Sequence, residues 1–257
     1  MARLLLDLGN TRLKAALCVD GRLRQFTACL HGNDIANNCQ SLLTAYTGVD
    51  SVHIASVAGE QADRALTLLL LQQYGLTPRF HSAQARFGVV KNRYLHAGSL
   101  GVDRWLAIIA AHQRFVAHLC VVDCGSAITI DLIRADGNHM GGMIVPGLRL
   151  QLEALGSGLS AIDAEHSRLG AAAKPVSVQW GDDTRSCIRA GVMGGIIATV
   201  DSALARASAS LGGQVELVLT GGDAQAIGDE IVSPYRLCEH LVLEGLAMAS
   251  SQDGGNR

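Results

Sequence analysis

The chain has 257 residues, 49% of them apolar and 17% charged, with a formal net charge of -2. That length makes one large domain or two of ordinary size, with ample material for a buried core. No basic tract stands out, which argues against nucleic acid. The longest apolar stretches, around residues 65–71 and 192–200, are too short to span a bilayer, which argues against a membrane.

Met1-Ala2-Arg3 leads directly into a strand, without the apolar segment of a secretory leader. The seven cysteines are irregularly spaced and lack a Cys-x-x-Cys pair, as expected of reduced thiols in a cytoplasm. Cys18, Cys120 and Cys124 lie in strand-like runs and are assigned to the core.

Residues 3–30 read as a three-stranded meander. The first apolar run ends at Asp7, and Leu8-Gly9-Asn10-Thr11-Arg12 turns into a second run carrying Leu13 and Lys14. Such a loop offers backbone N–H groups and a hydroxyl to a phosphate, and Asp7 stands at a strand end, where a carboxylate holds a metal. As a bare pattern it is equally a simple hairpin. Asp20-Gly21, between alternating runs, is a strong turn signal. A helix is expected over Ile35 to Tyr46, capped by Asn33 or Asp34, then a strand over Val49 to Ser56. A leucine-rich helix follows from Gln61 to Tyr74, with Gly75 as its C-cap, and a short strand begins at Pro78.

Lys91 to Trp105 breaks the alternation. It reads as a loop with Tyr94, Ala97, Gly101, Val102, Asp103 and Arg104, leading into a helix from Trp105 to Phe115. The plain reading of Asp103-Arg104 is a helix-start acid beside a solvated arginine.

Leu119 to Val145 repeats the opening. Val121-Val122-Asp123 runs into Cys124-Gly125-Ser126-Ala127, then a strand with Thr129 and Asp131. Asp136-Gly137 lies 13 residues after Asp123, as Asp20-Gly21 lies 13 after Asp7, and the two copies are offset by 116 residues. Two features sharing one offset indicate a duplicated fold. Gly141-Gly142-Met143-Ile144-Val145-Pro146-Gly147 closes the second meander, and a helix is expected from Leu148 to about Leu155. Gly156-Ser157-Gly158-Leu159-Ser160-Ala161 resembles a dinucleotide fingerprint only by letter count, because a helix rather than a strand precedes it.

After a loop from Lys174 to Trp180, Asp183 or Thr184 caps a long helix reaching about Ser210. Val215 to Leu219 is a strand ending in Thr220-Gly221-Gly222-Asp223, either a nucleotide-facing turn or a simple one. The last helix runs from about His240 to Ala249, and the polar tail from Ser250 is expected to fray. The nine histidines show no metal spacing, and most are read as surface or half-buried residues. No Walker A or Gly-x-Ser-x-Gly signature occurs, so phosphate binding would use hairpin loops.

Two Asp-x-Gly hairpins in duplicated halves, with a late Gly-Gly turn, resemble the actin-like ATPase superfamily of sugar kinases, acetate kinase and actin. Within it the sequence is similar to type III pantothenate kinases. Four blocks carry the resemblance: Asp7-x-Gly9-Asn10-Thr11-x-x-Lys14; Tyr94 with Leu100-Gly101-x-Asp103-Arg104; Asp123-x-Gly125-Ser126-Ala127-x-Thr129-x-Asp131; and Gly141-Gly142-x-Ile144-x-Pro146-Gly147.

The resemblance implies an α/β fold of two ribonuclease-H-like domains, each a meander followed by alternating helices and strands, divided at 1–115 and 116–257. It implies ATP-dependent phosphorylation of pantothenate, the first step of coenzyme A biosynthesis. Residues 7–14, Ser126, Gly221 and Gly222 would bind ATP, with Asp7 near magnesium. Asp123 would bind potassium or ammonium. Tyr94, Gly101, Val102, Asp103, Arg104 and Thr184 would line the pantothenate site, and Asp103 would be the general base. A homodimer in the cytoplasm is implied, its interface near that site. The family usually has Thr where this chain has Ser126, and Pro where it has Ala97. The competing readings are a regulatory protein on the same fold, of the transcription accessory-factor type, and a kinase of another small hydroxylated substrate. Keeping Asp7, Lys14, Asp103 and Asp123 together favours an enzyme.

Overall fold

The computed structural model describes residues 1–32, 34–158 and 180–252, and these divide into two compact units. The first comprises residues 1–114 with the chain from His240 onward; the second comprises residues 115–239. The sequence reading ran the second domain to residue 257. The contacts instead return the last helix to the first unit.

In the first unit β1 (Ala2–Leu8), β2 (Arg12–Val19) and β3 (Arg22–Leu30) form the antiparallel meander. Parallel β4 (Ser51–Ser56) and β5 (Arg79–Phe80) extend it in the order β3-β2-β1-β4-β5. Asp20 and Gly21 both take positive φ, 49° and 77°, so the expected two-residue turn forms. Strand alternation divides the central residues between faces. Leu4, Leu6, Leu8, Leu13, Ala15, Val52 and Ile54 are buried against α1 (Ile35–Thr44) and α2 (Glu60–Tyr74). Each such leucine contributes about 1.5–3 kcal/mol on burial. Beyond them a two-residue hairpin, β6 (Arg86–Phe87) with β7 (Val90–Lys91), precedes a 3₁₀ turn over Ala97–Ser99. The opposite face meets α3 (Val102–Arg114) and α7 (Leu241–Gln252). α7 carries Ser250 to Gln252, so that part of the expected frayed tail is helix; Asn33 and residues 253–257 lie outside the described residues.

The second unit repeats the plan. β8 (His118–Cys124), β9 (Ala127–Ile133) and β10 (His139–Pro146) form a meander. Parallel β11 (Val215–Thr220) and β12 (Tyr235–Leu237) complete the order β10-β9-β8-β11-β12. α4 (Leu148–Gly158), α5 (Thr184–Leu211) and the short α6 (Ala224–Gly228) belong to this unit. Residues 159–161 and the loop from Lys174 to residue 179 lie outside the described residues.

Asp183 rather than Thr184 caps α5, accepting from the Ser186 N–H in a capping box. Val192, Met193, Ile196, Val200, Ala203 and Ala207 form the buried stripe of α5. This helix is long and apolar enough, by length and composition, to cross a membrane, which the shorter apolar stretches read in the sequence did not reveal; 28% of its most apolar window is buried. Cys18, Cys120 and Cys124 are buried as expected. His31, His53 and His139 are buried too, exceptions to the reading of most histidines as surface or half-buried.

Candidate active site

The candidate for the first phosphate loop is the turn of the β1–β2 hairpin. Asp7, near the end of β1, pairs in register with Lys14 on β2. The pair lies on the α3/α7 side of the sheet, since Leu6, Leu8, Leu13 and Ala15 fill the other. Asp7 is 6% exposed, and its carboxylate lies 3.7 Å from the Lys14 ammonium. Between them the Gly9 N–H donates to the Arg12 carbonyl at 3.0 Å, closing a tight loop whose Asn10 and Arg12 are exposed. The Leu8 and Leu13 side chains are fully buried, so these residues offer a ligand only backbone. Thr11 holds its carbonyl to the His31 N–H at 3.2 Å.

The second cluster is in the same unit. α3 begins at Val102, three residues before the expected start, so Asp103 and Arg104 sit in its first turn. The Asp103 carboxylate accepts the Arg104 N–H at 2.7 Å. A Cβ on Gly101 would come within 2.6 Å of the Asp103 Oδ1, so a side chain there would displace the carboxylate. Arg104 is buried, not solvated as in the plain reading. Its guanidinium donates to the Tyr94 hydroxyl at 3.1 Å and lies 5.9 Å from the ring centroid, a hydrogen bond combined with a cation–π contact. Asn92 accepts from the Tyr94 N–H at 3.0 Å and donates to the carbonyls of Gln84 and Ala97 at 3.2 Å each, fixing the loop that presents Tyr94. Ala97 opens the 3₁₀ turn, where the family's usual proline would also suit a helical φ. Val102 is buried and serves the core.

In the second unit Asp123, near the end of β8, pairs in register with Thr129 on β9 and Thr220 on β11. Gly125 closes the loop by donating to the Ala127 carbonyl at 3.1 Å, leaving Ser126 exposed. The Thr220-Gly221-Gly222-Asp223 turn packs directly on this loop. The Asp223 N–H donates to the Cys124 carbonyl at 2.9 Å. Gly221 has φ +97°, and a Cβ there would overlap the Asp123 carboxylate and lie 2.6 Å from the Cys124 carbonyl. Burial, reinforced by the charges of Asp123 and Asp223, pushes the Cys124 thiol far up. Burial likewise pushes Cys120 up to about 12, and both thiols stay protonated.

The structure therefore joins Asp7 with Lys14, Tyr94 with Arg104 and Asp103, and Asp123 with Gly221. Thr184 is exposed on the first turn of α5. Among the described residues no group of three or more His, Cys, Asp and Glu side chains forms a metal site. The donors present are single carboxylates. A lone carboxylate such as Asp7 suits magnesium that arrives with nucleotide phosphates and keeps several waters. The oxygens packed around Gly221, those of the Asp123 carboxylate and the Cys124 carbonyl, are the donor type a singly charged cation takes. His31, against the back of the β1–β2 loop, was not singled out from the sequence. Nothing in its spacing marks it, because it reaches the loop only through strand pairing.

The model of type III pantothenate kinase matches residues 3–206. A Nitrosococcus oceani type III pantothenate kinase is 31% identical over 255 residues, covering 95% of this chain and 92% of the relative. The Pseudomonas aeruginosa counterpart is 34% identical over 247 residues, covering 95% and 97%. Among solved structures, a Campylobacter jejuni protein described as a Baf family transcriptional activator superposes with a TM-score of 0.61. It is 21% identical, with 98% of this chain and 99% of that one covered. The Clostridium difficile activator of 2-hydroxyisocaproyl-CoA dehydratase, solved with bound ADPNP, gives 0.55 at 14% identity, covering 100% and 99%. At these identities the two structures carry the fold alone, the mixed α/β arrangement described above.

Proposed function

This chain belongs to the type III pantothenate kinase family, and from that premise we propose how its residues divide the transfer of a phosphoryl group from ATP to pantothenate. The activity, phosphorylation of pantothenate in coenzyme A biosynthesis, follows from that membership. The roles of single residues are our reading.

Phosphoryl transfer asks mainly for positioned phosphates, neutralised charge and an oriented nucleophile. Residues 7–14 receive the ATP phosphates on backbone N–H groups, with Lys14 supplying positive charge and Ser126 a hydroxyl. Asp7 would hold the magnesium that accompanies ATP, and Asp123 a potassium or ammonium ion; bound there, both offset phosphate charge. Gly221 and Gly222 receive the nucleoside side of ATP. Tyr94, Gly101, Arg104 and Thr184 hold pantothenate, with Val102 offering only backbone from its buried place in the core. The buried Arg104 suits a ligand carboxylate, because its guanidinium is prealigned by the tyrosine.

Asp103 accepts the proton of the pantothenate hydroxyl as that oxygen bonds to the γ-phosphorus and the bond to ADP breaks. The observation that carries this assignment is the shared first turn of α3, which holds the Asp103 carboxylate beside Arg104 and, through it, Tyr94. A cytoplasmic homodimer is the form we expect, with the glycine-bearing face of α5 at its interface. That expectation is supported by the open space at Gly191, Gly194 and Gly195, where a Cβ would meet no heavy atom of the described residues within 4 Å beyond the helix's own backbone. The test is a coupled assay of ADP release with pantothenate against a panel of other small alcohols. Turnover confined to pantothenate is expected, and equal turnover on an unrelated alcohol would overturn the assignment.

A further inference from the structure

His31 follows β3 directly and is 4% exposed, yet its contacts are polar. Nε2 lies 2.8 Å from the Gly9 carbonyl, inside the first phosphate loop and 22 residues earlier in the chain. Its backbone N–H donates to the Thr11 carbonyl at 3.2 Å. One residue therefore grips the loop at two points. The residue is itself held. The Asn38 side-chain amide donates to the His31 carbonyl at 2.9 Å; the neutral ring carries one N–H, and on Nε2 that proton goes to the Gly9 carbonyl rather than to the Gly32 carbonyl 2.9 Å from Nδ1. Asn38 is fixed in turn by α1, whose N-terminus Asp34 caps by accepting from Asn37.

The chemistry of a peptide plane gives this grip a consequence. In a trans peptide the carbonyl and the following N–H point in opposite directions, and no cis bond occurs among the described residues. Holding the Gly9 oxygen toward His31 turns the Asn10 N–H the other way, toward the exposed side of the loop. It also keeps a carbonyl dipole from facing an anion. Without the bond, the glycine peptide is free to flip, because glycine tolerates both orientations. A flipped loop would present an oxygen where a phosphate needs a donor.

We propose that His31 is a positioning residue for the first phosphate loop, setting ATP affinity by fixing the Gly9–Asn10 peptide. The proposal rests on the reading that residues 7–14 hold ATP phosphates. It extends the ATP-binding machinery to a strand end and helix outside the loop.

The test is His31→Leu, with His31→Gln as the variant that keeps a donor, in the full-length enzyme. One hydrogen bond's net worth translates to roughly a three- to tenfold change in an equilibrium constant. His31→Leu is expected to raise the KM for ATP by about that factor, with the KM for pantothenate within twofold, and His31→Gln to restore most of the loss. Direct calorimetry of ATP binding without pantothenate should give the same ratio, so an error in substrate assignment would leave this result standing. An unchanged ATP affinity, or equal rises in both KM values, would overturn the proposal. If His31→Leu fails to fold, the exposed Asn38→Ala takes its place. A two- to threefold rise in ATP KM alone supports the brace, and no change overturns it.

Discussion

The packing of Gly221 on Asp123 makes Gly221→Ala the sharpest probe of the second half of the site. Two costs add. Alanine at φ +97° leaves the favoured regions, a strain of about 1–3 kcal/mol. Its Cβ would also overlap the Asp123 carboxylate and the Cys124 backbone, and overpacking of that kind costs about 1–3 kcal/mol more. The sum, about 2–6 kcal/mol, is a large part of the ~5–15 kcal/mol that holds a typical domain together. A fall in Tm of at least about 5 °C is expected. The relief of strain should push the Asp123 carboxylate aside. In the wild type, potassium above its dissociation constant should raise the Tm by mass action, and in the variant that rise should shrink or vanish. Thermal melts of both proteins in matched sodium and potassium buffers measure the two effects together. A variant with wild-type Tm and a wild-type potassium response would refute the reasoning, since neither the strain nor the displaced carboxylate would be real.

Two other outcomes are expected. Asp103→Asn keeps an acceptor for the Arg104 N–H but loses basicity, so kcat should fall roughly 10²–10⁴-fold with the Tm nearly unchanged; a near-normal kcat with a lowered Tm would leave only a helix-end charge, worth about 0.3–1 kcal/mol. Light scattering at assay concentration should give twice the chain mass, and an active monomer would remove α5 from any interface.

The parts legible in sequence were those with local chemistry. Asp20-Gly21 and Asp136-Gly137 demand tight turns, and the apolar runs that end in Asp7 and Asp123 mark the strands before them, so both meanders and their repetition were readable. Asp7, Lys14, Asp123 and Gly221 are each named as site residues by loop chemistry, but that Asp7 neighbours Lys14 and that Asp123 neighbours Gly221 emerges only from strand pairing. What was not legible depends on distant partners. Amphipathic spacing marks the last helix as a helix but not which sheet it covers, and α7 returns to the first unit. β6, β7 and β12 are two or three residues long, too short to show a period. α3 begins early because the Gly101 carbonyl accepts the Trp105 N–H at 3.0 Å, which a glycine-bearing run conceals. The burial of Arg104 required knowing that Tyr94 would stand over it. His139 was read with the ordinary histidines, yet it is buried 2.9 Å from Asp131 on the neighbouring strand.

The duplication also allows the two carboxylates to be compared position by position. Asp7 and Asp123 occupy equivalent places on the central strands of the two sheets. The residue facing Asp7 on the next strand is Lys14, and the residue facing Asp123 is Thr129. One copy thus carries its own ammonium beside the carboxylate. In the other copy the same register position holds a hydroxyl, with Thr220 on the far side and the Cys124 carbonyl beside Gly221. An oxygen-rich position of that kind suits an added singly charged cation, whereas the first copy already sets the Lys14 ammonium beside the carboxylate that would meet magnesium only with ATP. Thr129→Lys would recreate the first arrangement in the second. With a lysine ammonium beside Asp123, the variant should lose its response to potassium, whether activity survives at a constant level in sodium or falls in both buffers. Turnover measured across a potassium titration, at constant ionic strength, reads this directly. A Thr129→Lys enzyme that folds, turns over and still needs potassium at the wild-type concentration would mean that the cation sits elsewhere, and that Asp123 does not hold it.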